Sequence, residues 1–193
     1  MPPPSDPFSE LRRKLRARSP RRIRAGAAAR SSVALILAGA RPRDFEVLLM
    51  ERSTHPRDPW SGHVSLPGGR WQAADRDRSA TSIRETQEET GVRLRQEDRL
   101  GELDDLCPRT PTYPELVVRP FVFGLRRKPP LAPGPEAAEC FWVRLDGLPG
   151  AAREATFAIA GQRRRLPAFR IGARTVWGIT YRILASVLEM LDD

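Results

Sequence analysis

The chain has 193 residues, of which 40% are hydrophobic and 30% charged, so it can bury one substantial core. Two cysteines are too few for a disulfide framework, and no apolar run is long enough to predict a membrane helix. The formal net charge is +9, but residues 1–30 carry nine basic and two acidic residues, which is +7. The rest of the chain therefore carries only +2, which excludes a strongly basic globular domain.

Residues 1–28 are predicted to be a basic, proline-rich arm, and residues 29–193 the folded domain. Within the arm, Phe8, Leu11 and Leu15 are spaced as one face of a short helix that Pro20 ends. Two interpretations stay open: a loosely packed segment, or a contact with an anionic substrate or nucleic acid. Nucleic acid is not favoured, because no aromatic residues interleave the arginines. We expect a cytoplasmic protein, because the N-terminus lacks the apolar core of a signal peptide.

The remaining elements are strands on both sides of one acidic helix. The predicted strands cover residues 31–37, 45–50, 63–66, 94–106, 115–124, 140–145, 166–171 and 175–177. The acidic helix begins after Asp77 or Ser79 and ends near Thr90, and a second helix covers about 179–191. Because helices and strands do not alternate strictly, we predict an α/β/α sandwich with a mixed sheet rather than a doubly wound parallel sheet.

The acidic helix carries three carboxylates, Glu85, Glu88 and Glu89, at positions i, i+3 and i+4. These spacings place the side chains on one helix face, where like charges repel. A helix built only for stability would not gather them. Hard divalent cations such as Mg²⁺ prefer oxygen ligands and would offset the repulsion, so the pattern indicates a metal site.

Two further predictions concern the glycines before the acidic helix and the side of that helix that faces the core. Gly68 and Gly69 are predicted to form a tight turn where the backbone can approach a ligand closely. Ala80, Ile83 and the aliphatic part of Gln87 are predicted to form the inward stripe of the acidic helix.

The segment from Gly69 to Val92, with its Arg84-Glu85-x-x-Glu88-Glu89-x-Gly91-Val92 end, resembles the Nudix box, GX5EX7REUXEEXGU with U aliphatic. The resemblance implies a Nudix-like α/β/α fold and metal-dependent hydrolysis of a nucleoside diphosphate linked to another moiety. Fourteen residues separate Gly69 from Arg84, where the pattern has thirteen.

The early part of the box departs from the pattern at one further position. Arg76 stands where the pattern has Glu, and Asp75 or Asp77 can take that place. A catalytically weak Nudix-fold binding module is the alternative that this departure leaves open.

The residues before the box are similar to the signature of coenzyme A pyrophosphatases. Ser53 and Arg57 match its spacing ahead of Leu66-Pro67-Gly68-Gly69, although Met50 and Arg52 replace its two threonines. The resemblance implies that coenzyme A or its thioesters are cleaved to 3′,5′-ADP and a 4′-phosphopantetheine. ADP-ribose, NADH and nucleoside triphosphates are the alternative substrates.

The expected site residues fall into three groups. The expected metal ligands, for Mg²⁺ or Mn²⁺, are Glu85, Glu88, Glu89 and, as the resemblance implies, the backbone carbonyl of Gly68. The expected catalytic residues are Glu88, Glu89 and Arg84. The expected substrate-binding residues are Arg57, Ser53, Gly69 and Arg70. The general base is left open between Glu89, Glu136 and Glu139, and His63 is predicted to be a strand residue rather than a catalyst. The expected partner is a small-molecule substrate, and no membrane is expected as a partner. A homodimer is left open.

Overall fold

The computed structural model describes residues 6–24, 29–55, 61–108, 116–159 and 161–192. Within these ranges the chain forms three α-helices and ten strands. The helices are α1 (Ser9–Ala17), α2 (Arg78–Thr90) and α3 (Gly178–Asp192). The strands are β1 (Arg30–Ala38), β2 (Glu46–Arg52), β3 (Val64–Ser65), β4 (Gly68–Arg70), β5 (Arg99–Glu102), β6 (Val117–Leu125), β7 (Ala137–Arg144), β8 (Ala152–Ile159), β9 (Gln162–Ile171) and β10 (Arg174–Trp177).

A seven-stranded mixed sheet forms the middle of the fold. Its main path is β3-β2-β1-β6-β5, with β4 paired to β1 and β7 paired to β2. Strands β1 and β6 run parallel, from the pair Arg30 and Val117 to the pair Ala38 and Leu125, and the other pairings are antiparallel. Strands β8, β9 and β10 form a separate antiparallel sheet. The predicted mixed sheet is confirmed.

The central strands supply two cores, one on each face of the sheet. Leu35 and Leu37 of β1 belong to the core that includes α1 and α3, whereas Ala34 and Ile36 face the core beside α2. Successive side chains of a strand point to opposite faces, so a strand covered on both sides needs a continuous apolar run. The sequence of β1 provides that run, and the predicted α/β/α sandwich is confirmed.

The N-terminal helix α1 is an integral part of the larger core. Phe8, Leu11 and Leu15 are between 1% and 3% exposed. Phe8 occupies the space that Gly124 leaves, since a Cβ at Gly124 would lie 2.8 Å from the Phe8 ring. The predicted helix is confirmed, but the loosely packed alternative is wrong for residues 8–17. The boundary at residue 28 stays a prediction.

The inward face of α2 is largely polar, so the predicted stripe is wrong at Gln87, although Ile83 packs against the smaller core. Ser82 and Thr86 are fully buried, whereas Gln87 is exposed and Ile83 only half-buried. The Thr86 hydroxyl donates to the Ser82 carbonyl at 2.7 Å, and the Ser82 hydroxyl donates to the Ser79 carbonyl at 2.7 Å. These bonds let small polar side chains lie against the sheet without unpaired hydroxyl groups.

The C-terminal part agrees with the sequence except at one strand. The predicted strands at 166–171 and 175–177 pair as β9 and β10, and α3 follows them directly. Strand β8 was not predicted. Most of its side chains are exposed, so its sequence has no apolar pattern that indicates a strand.

Candidate active site

Two glycines place the backbone of β4 against both β1 and α2. Gly68 has φ of +153°, and a Cβ there would overlap the Ser32 carbonyl oxygen. At Gly69, a Cβ would lie 2.5 Å from the carboxylate of Glu85. The predicted tight turn is therefore wrong, because Gly68–Arg70 forms an antiparallel strand on β1. The close neighbour of Gly69 is the Glu85 carboxylate, and the approach of this backbone to a ligand stays a prediction.

The caps of α2 fix which residues face β4. The Asp77 side chain accepts hydrogen bonds from the backbone N–H groups of Ser79 (2.8 Å) and Ala80 (2.9 Å). Gly91 ends the helix in the left-handed conformation, at φ of +73°, and donates its N–H to the Gln87 carbonyl. Both predicted ends are confirmed, with Asp77 rather than Ser79 as the N-cap.

Glu89 is a buried carboxylate beside the first glycine of β4. The Gly68 N–H donates to Glu89 Oε2 at 2.7 Å, and Arg52 Nη1 lies 3.8 Å from Glu89 Oε1. Burial raises the pKa of Glu89 to about 8, and the nearby Glu85 adds to the rise, while the Gly68 N–H and Arg52 oppose it. The side chain is thus held in one position in surroundings that disfavour its negative charge.

Arg84 joins the carboxylates of this region. It pairs with Asp75 through two bonds, Nε to Oδ1 at 3.0 Å and Nη2 to Oδ2 at 3.1 Å. Its Nη1 lies 2.9 Å from both Glu85 Oε1 and Glu88 Oε2. The hydrogen bonds from Arg84 lower the pKa of Asp75 to about 2. Of the two aspartates beside Arg76, Asp75 therefore pairs with Arg84 of the Nudix-like box. Asp77 instead caps α2.

A cleft of about 920 Å³ opens beside these groups, lined by Val33 of β1, which packs against the larger core, and by Glu85 of α2. Gly68, Gly69, Arg70 and Glu85 line its polar end. Its other walls come from β9, β10, the start of α3 and the ends of other strands. They include the apolar residues Val64, Leu66, Leu166, Pro167, Trp177 and Ile179. The cleft can therefore hold a ligand with one charged and one apolar part.

The donor set fits a hard divalent cation. Glu85 and Glu89 are carboxylates with little exposure, and burial raises the pKa of Glu85 as well, with repulsion from Glu88 adding to the rise and Arg84 opposing it. Among the described residues, no three acidic, histidine or cysteine side chains converge closely enough to hold a metal. Arg84 holds Glu88, which is 56% exposed, and the Gly68 N–H holds Glu89. Binding of an ion therefore requires these side chains to turn.

A family model described as the NUDIX domain matches residues 28–164. The chain belongs to the Nudix hydrolase family. Members of this family are pyrophosphohydrolases, so the chain is an enzyme of that class. The resemblance found in the box is thus confirmed at the level of the family.

Two curated proteins are similar to this Nudix hydrolase. It is 32% identical over 185 residues to the mitochondrial coenzyme A diphosphatase of Homo sapiens, across 89% of this chain and 76% of that protein. It is 36% identical over 121 residues to an uncharacterized protein of Schizosaccharomyces pombe, across 53% of this chain. The match spans only 37% of the length of the Schizosaccharomyces pombe relative.

Solved structures share the fold of this Nudix hydrolase. A MutT/nudix family protein from Enterococcus faecalis has a TM-score of 0.63 at 20% identity, over 96% of this chain and 70% of that one. A bifunctional NMN adenylyltransferase/ADP ribose pyrophosphatase from Francisella tularensis, complexed with AMP and a manganese ion, has a TM-score of 0.56 at 17% identity. It is matched over 94% of this chain and 46% of its own. At these identities the likeness concerns the fold alone.

The comparisons do not assign a compartment. The human relative is named as mitochondrial, and the cytoplasmic expectation for this chain stays a prediction. None of the described helices is both long and apolar enough to cross a membrane.

The predicted substrate-binding residues are distributed unevenly. Gly69 and Arg70 line the cleft. The Ser53 hydroxyl donates to the Pro135 carbonyl at 3.0 Å, and the Ser53 N–H donates to the Glu136 carbonyl at 2.9 Å. Ser53 thus anchors the segment that carries Glu136. Arg57 lies outside the described residues, and the substrate-binding role of all four residues stays a prediction.

The three candidate bases differ in what holds them. Glu136 lines the cleft, and its carboxylate lies 3.9 Å from Arg52 Nη2. The carboxylate of Glu139 is instead held in an ion pair by Arg174. Arg52 also approaches Glu89, although in the sequence it stands out only as a departure from the coenzyme A pyrophosphatase signature. No local pattern reveals it, since its partners lie in distant parts of the chain.

Proposed function

We propose that this Nudix hydrolase cleaves the pyrophosphate bond of coenzyme A or its thioesters with Mg²⁺ or Mn²⁺, giving 3′,5′-ADP and a 4′-phosphopantetheine. The observation that carries the reaction is the pair of poorly exposed carboxylates, Glu85 and Glu89, against Gly68 and Gly69 at the polar end of the cleft. The substrate is supported by the 32% identity to the human coenzyme A diphosphatase across 89% of the chain.

The acidic face of α2 and the first glycine of β4 hold the metal in this proposal. The ligands are Glu85, Glu88, Glu89 and the carbonyl of Gly68. When bound, a divalent ion neutralises charge on the phosphate oxygens and activates a bound water. Arg84 orients Glu85 and Glu88, and Asp75 keeps the Arg84 guanidinium in place through their two-bond pair.

The proton of the attacking water needs an acceptor in the cleft. Of the three candidate bases, Glu136 has a side chain that lines the cleft and is largely exposed to it. Glu89 is buried and committed to the Gly68 N–H, and Glu139 is committed to Arg174. Glu136 is therefore the base in this proposal, with Arg52 between it and Glu89.

A panel of substrates tests the proposal. Coenzyme A, an acyl-coenzyme A, ADP-ribose, NADH and a nucleoside triphosphate are incubated with Mg²⁺, Mn²⁺ or a chelator, and the products are identified by mass spectrometry. We expect the highest kcat/KM for coenzyme A or its thioester, release of 3′,5′-ADP, and no turnover with the chelator. Each substrate is tested singly. Cleavage of ADP-ribose with coenzyme A untouched would refute the substrate and keep the reaction class.

The alternative, a binding module with weak catalysis, loses its main support. It rested on Arg76 at the position where the Nudix box has Glu. Asp75, one residue earlier, supplies a carboxylate that Arg84 holds in two bonds. Binding of every substrate in the panel without cleavage of any would favour the binding module.

A further inference from the structure

A second cavity, of about 420 Å³, lies at the N-terminal end of α2. Arg30 and Arg119 line it, whereas their chain neighbours Ser31 and Val118 line the active-site cleft. Because successive side chains of a strand point to opposite faces, the two cavities lie on opposite faces of the mixed sheet. The two cavities share no lining residue, so the second cavity is separate from the active-site cleft.

Five arginines line this second cavity, which we call the arginine cavity. They are Arg30, Arg76, Arg78, Arg99 and Arg119. Its two lining carboxylates already have partners, since Asp77 caps α2 and Glu102 pairs with Arg22. Asp105 neutralises Arg119 through bonds of 2.8 and 3.0 Å. The remaining guanidinium groups leave the arginine cavity with an excess of positive charge.

Two of these arginines are the most available to a ligand. Within the described part of the chain, the guanidinium groups of Arg30 and Arg76 form no hydrogen bond or ion pair. Arg78 donates only to neutral oxygens, which include the carbonyls of Ser31 and Val117. Burial and the neighbouring arginines lower the pKa of Arg78 to about 10. An anion in the arginine cavity would relieve this repulsion.

Trp71 adds an aromatic surface to the same cavity. Its side chain lines the cavity and the residue is 40% exposed, which is unusual for a large apolar residue in this fold. The backbone N–H of Trp71 donates to the Arg30 carbonyl at 2.9 Å, so the Trp71 backbone is anchored beside β1. Exposed aromatic rings stack with nucleobases, and arginines pair with phosphates through two bonds.

We propose that the arginine cavity binds a nucleotide, with its phosphate against Arg30 and Arg76 and its base on Trp71. The volume of about 420 Å³ lies within the range of roughly 300–1,000 Å³ for small-molecule sites. Seven residues of α2, or about 10 Å of helix, separate Arg78 in this cavity from Glu85 in the active site. The proposal does not depend on which pyrophosphate the enzyme cleaves.

Calorimetric titration of the 193-residue chain with ADP, in the presence of a chelator, tests this site without loading the metal site. The double variant Arg30→Gln/Arg76→Gln should weaken ADP binding at least about tenfold, because two charge-assisted contacts are lost. Trp71→Leu should weaken it about fivefold or more through lost stacking. The double variant should bind inorganic phosphate more weakly than the wild type does. Trp71→Leu should bind inorganic phosphate as tightly as the wild type does.

A matched control removes the same two charges elsewhere. Arg163→Gln/Arg164→Gln lies on exposed positions of β9, and it should leave ADP affinity unchanged. Unchanged ADP binding by Arg30→Gln/Arg76→Gln would refute the proposal. An equal loss of ADP affinity in both double variants would also refute it. So would a protein that binds a single-stranded oligonucleotide but does not bind ADP. If the first double variant does not fold, the exposed Arg76→Gln alone provides the test, with the same expected direction.

Discussion

The two ends of α2 carry opposite charges, and both are placed against the helix dipole. Arg78 is the first helical residue, and Glu88 and Glu89 lie in the last turn. A helix dipole favours the reverse arrangement by about 0.3–1 kcal/mol for each charge. The capping residues Asp77 and Gly91, together with buried hydroxyl groups, stabilise the helix instead. The charges on α2 therefore do not stabilise the helix through its dipole, and ligands at both ends, as proposed above, would account for them.

The two ends also differ in how firmly their charges are held. At the acidic end, Arg84 contacts Glu85 and Glu88, and the Gly68 N–H holds Glu89. At the N-terminal end, Arg119 of the arginine cavity is paired with Asp105, whereas Arg30 and Arg76 are the arginines proposed to contact a ligand. Contacts within the protein therefore restrain the acidic side chains until an ion binds, whereas the guanidinium groups of Arg30 and Arg76 form no such contact among the described residues.

The largest expected effect lies at the acidic end. Glu89→Gln keeps an oxygen for the Gly68 N–H but removes the negative charge that the proposed metal requires. Turnover of the cleaved pyrophosphate substrate should fall about a thousandfold, in the range found when a group that stabilises a transition state is removed. Steady-state kinetics of product release, followed as 3′,5′-ADP, measures this loss.

A control variant and a stability measurement show whether the effect of Glu89→Gln is specific to catalysis. Glu97→Gln makes the same charge change at a residue that is 67% exposed and pairs with Arg95, and its turnover should match the wild type. Without metal, Glu89→Gln should unfold at the same temperature as the wild type or a higher one, because a buried carboxylate is costly. Wild-type turnover by Glu89→Gln would refute the metal assignment and remove the contrast between the two ends.

The next largest effect is on stability. It concerns Asp105, the partner of Arg119 in the arginine cavity. Asp105 is buried and accepts bonds from Arg119 and from the Ile23 N–H at 3.1 Å, so it ties residues 21–23 to the fold. Asp105→Asn should lower the free energy of unfolding by about 2–3 kcal/mol, since it leaves a partly buried guanidinium without its carboxylate. Urea denaturation measures the difference, with Asp104→Asn, at a more exposed carboxylate, as the control.

The pH dependence of that difference has a definite sign. Burial alone would raise the pKa of Asp105, but the bonds from Arg119 and Ile23 outweigh it and keep the pKa below the ordinary 3.8. A lowered pKa in the folded state means that the charge stabilises the protein fully above pH 3.8 and progressively less below it. The two proteins should therefore differ most at neutral pH and converge under more acidic conditions. A difference that grows on acidification would contradict this assignment.

The sequence was most informative where a pattern is local. Strand β1 is a continuous apolar run because both of its faces are covered, and α3 has an apolar face of helical period. Strand β8 has mainly exposed side chains, so nothing local distinguishes it from a loop. The two glycines of β4 indicate a turn by themselves, and only pairing with β1 makes Gly68–Arg70 a strand.

The same limit applies to the candidate site. Glu85, Glu88 and Glu89 are neighbours on one helix, so their spacing already predicts one acidic face. Arg52 and Glu136 come from separate parts of the chain, and only the sheet brings them together. The polar inward face of α2 was missed for another reason. Its hydroxyl groups bond within the helix, and amphipathic spacing does not report such bonds.

The smallest of the three effects tests how closely the acidic end must be held. Gly69→Ala would place a Cβ 2.5 Å from the Glu85 carboxylate, which is the far end of a flexible side chain. The fold should tolerate this change, but the displaced carboxylate should reduce kcat about tenfold. Gly150→Ala is the matched control, because a Cβ there meets nothing within 4 Å. An unfolding temperature near that of the wild type, combined with the loss of kcat, would show that carboxylate position limits the rate. If kcat stays at the wild-type value, the firmly held acidic end does not need its observed geometry, and the contrast with the N-terminal end of α2 weakens.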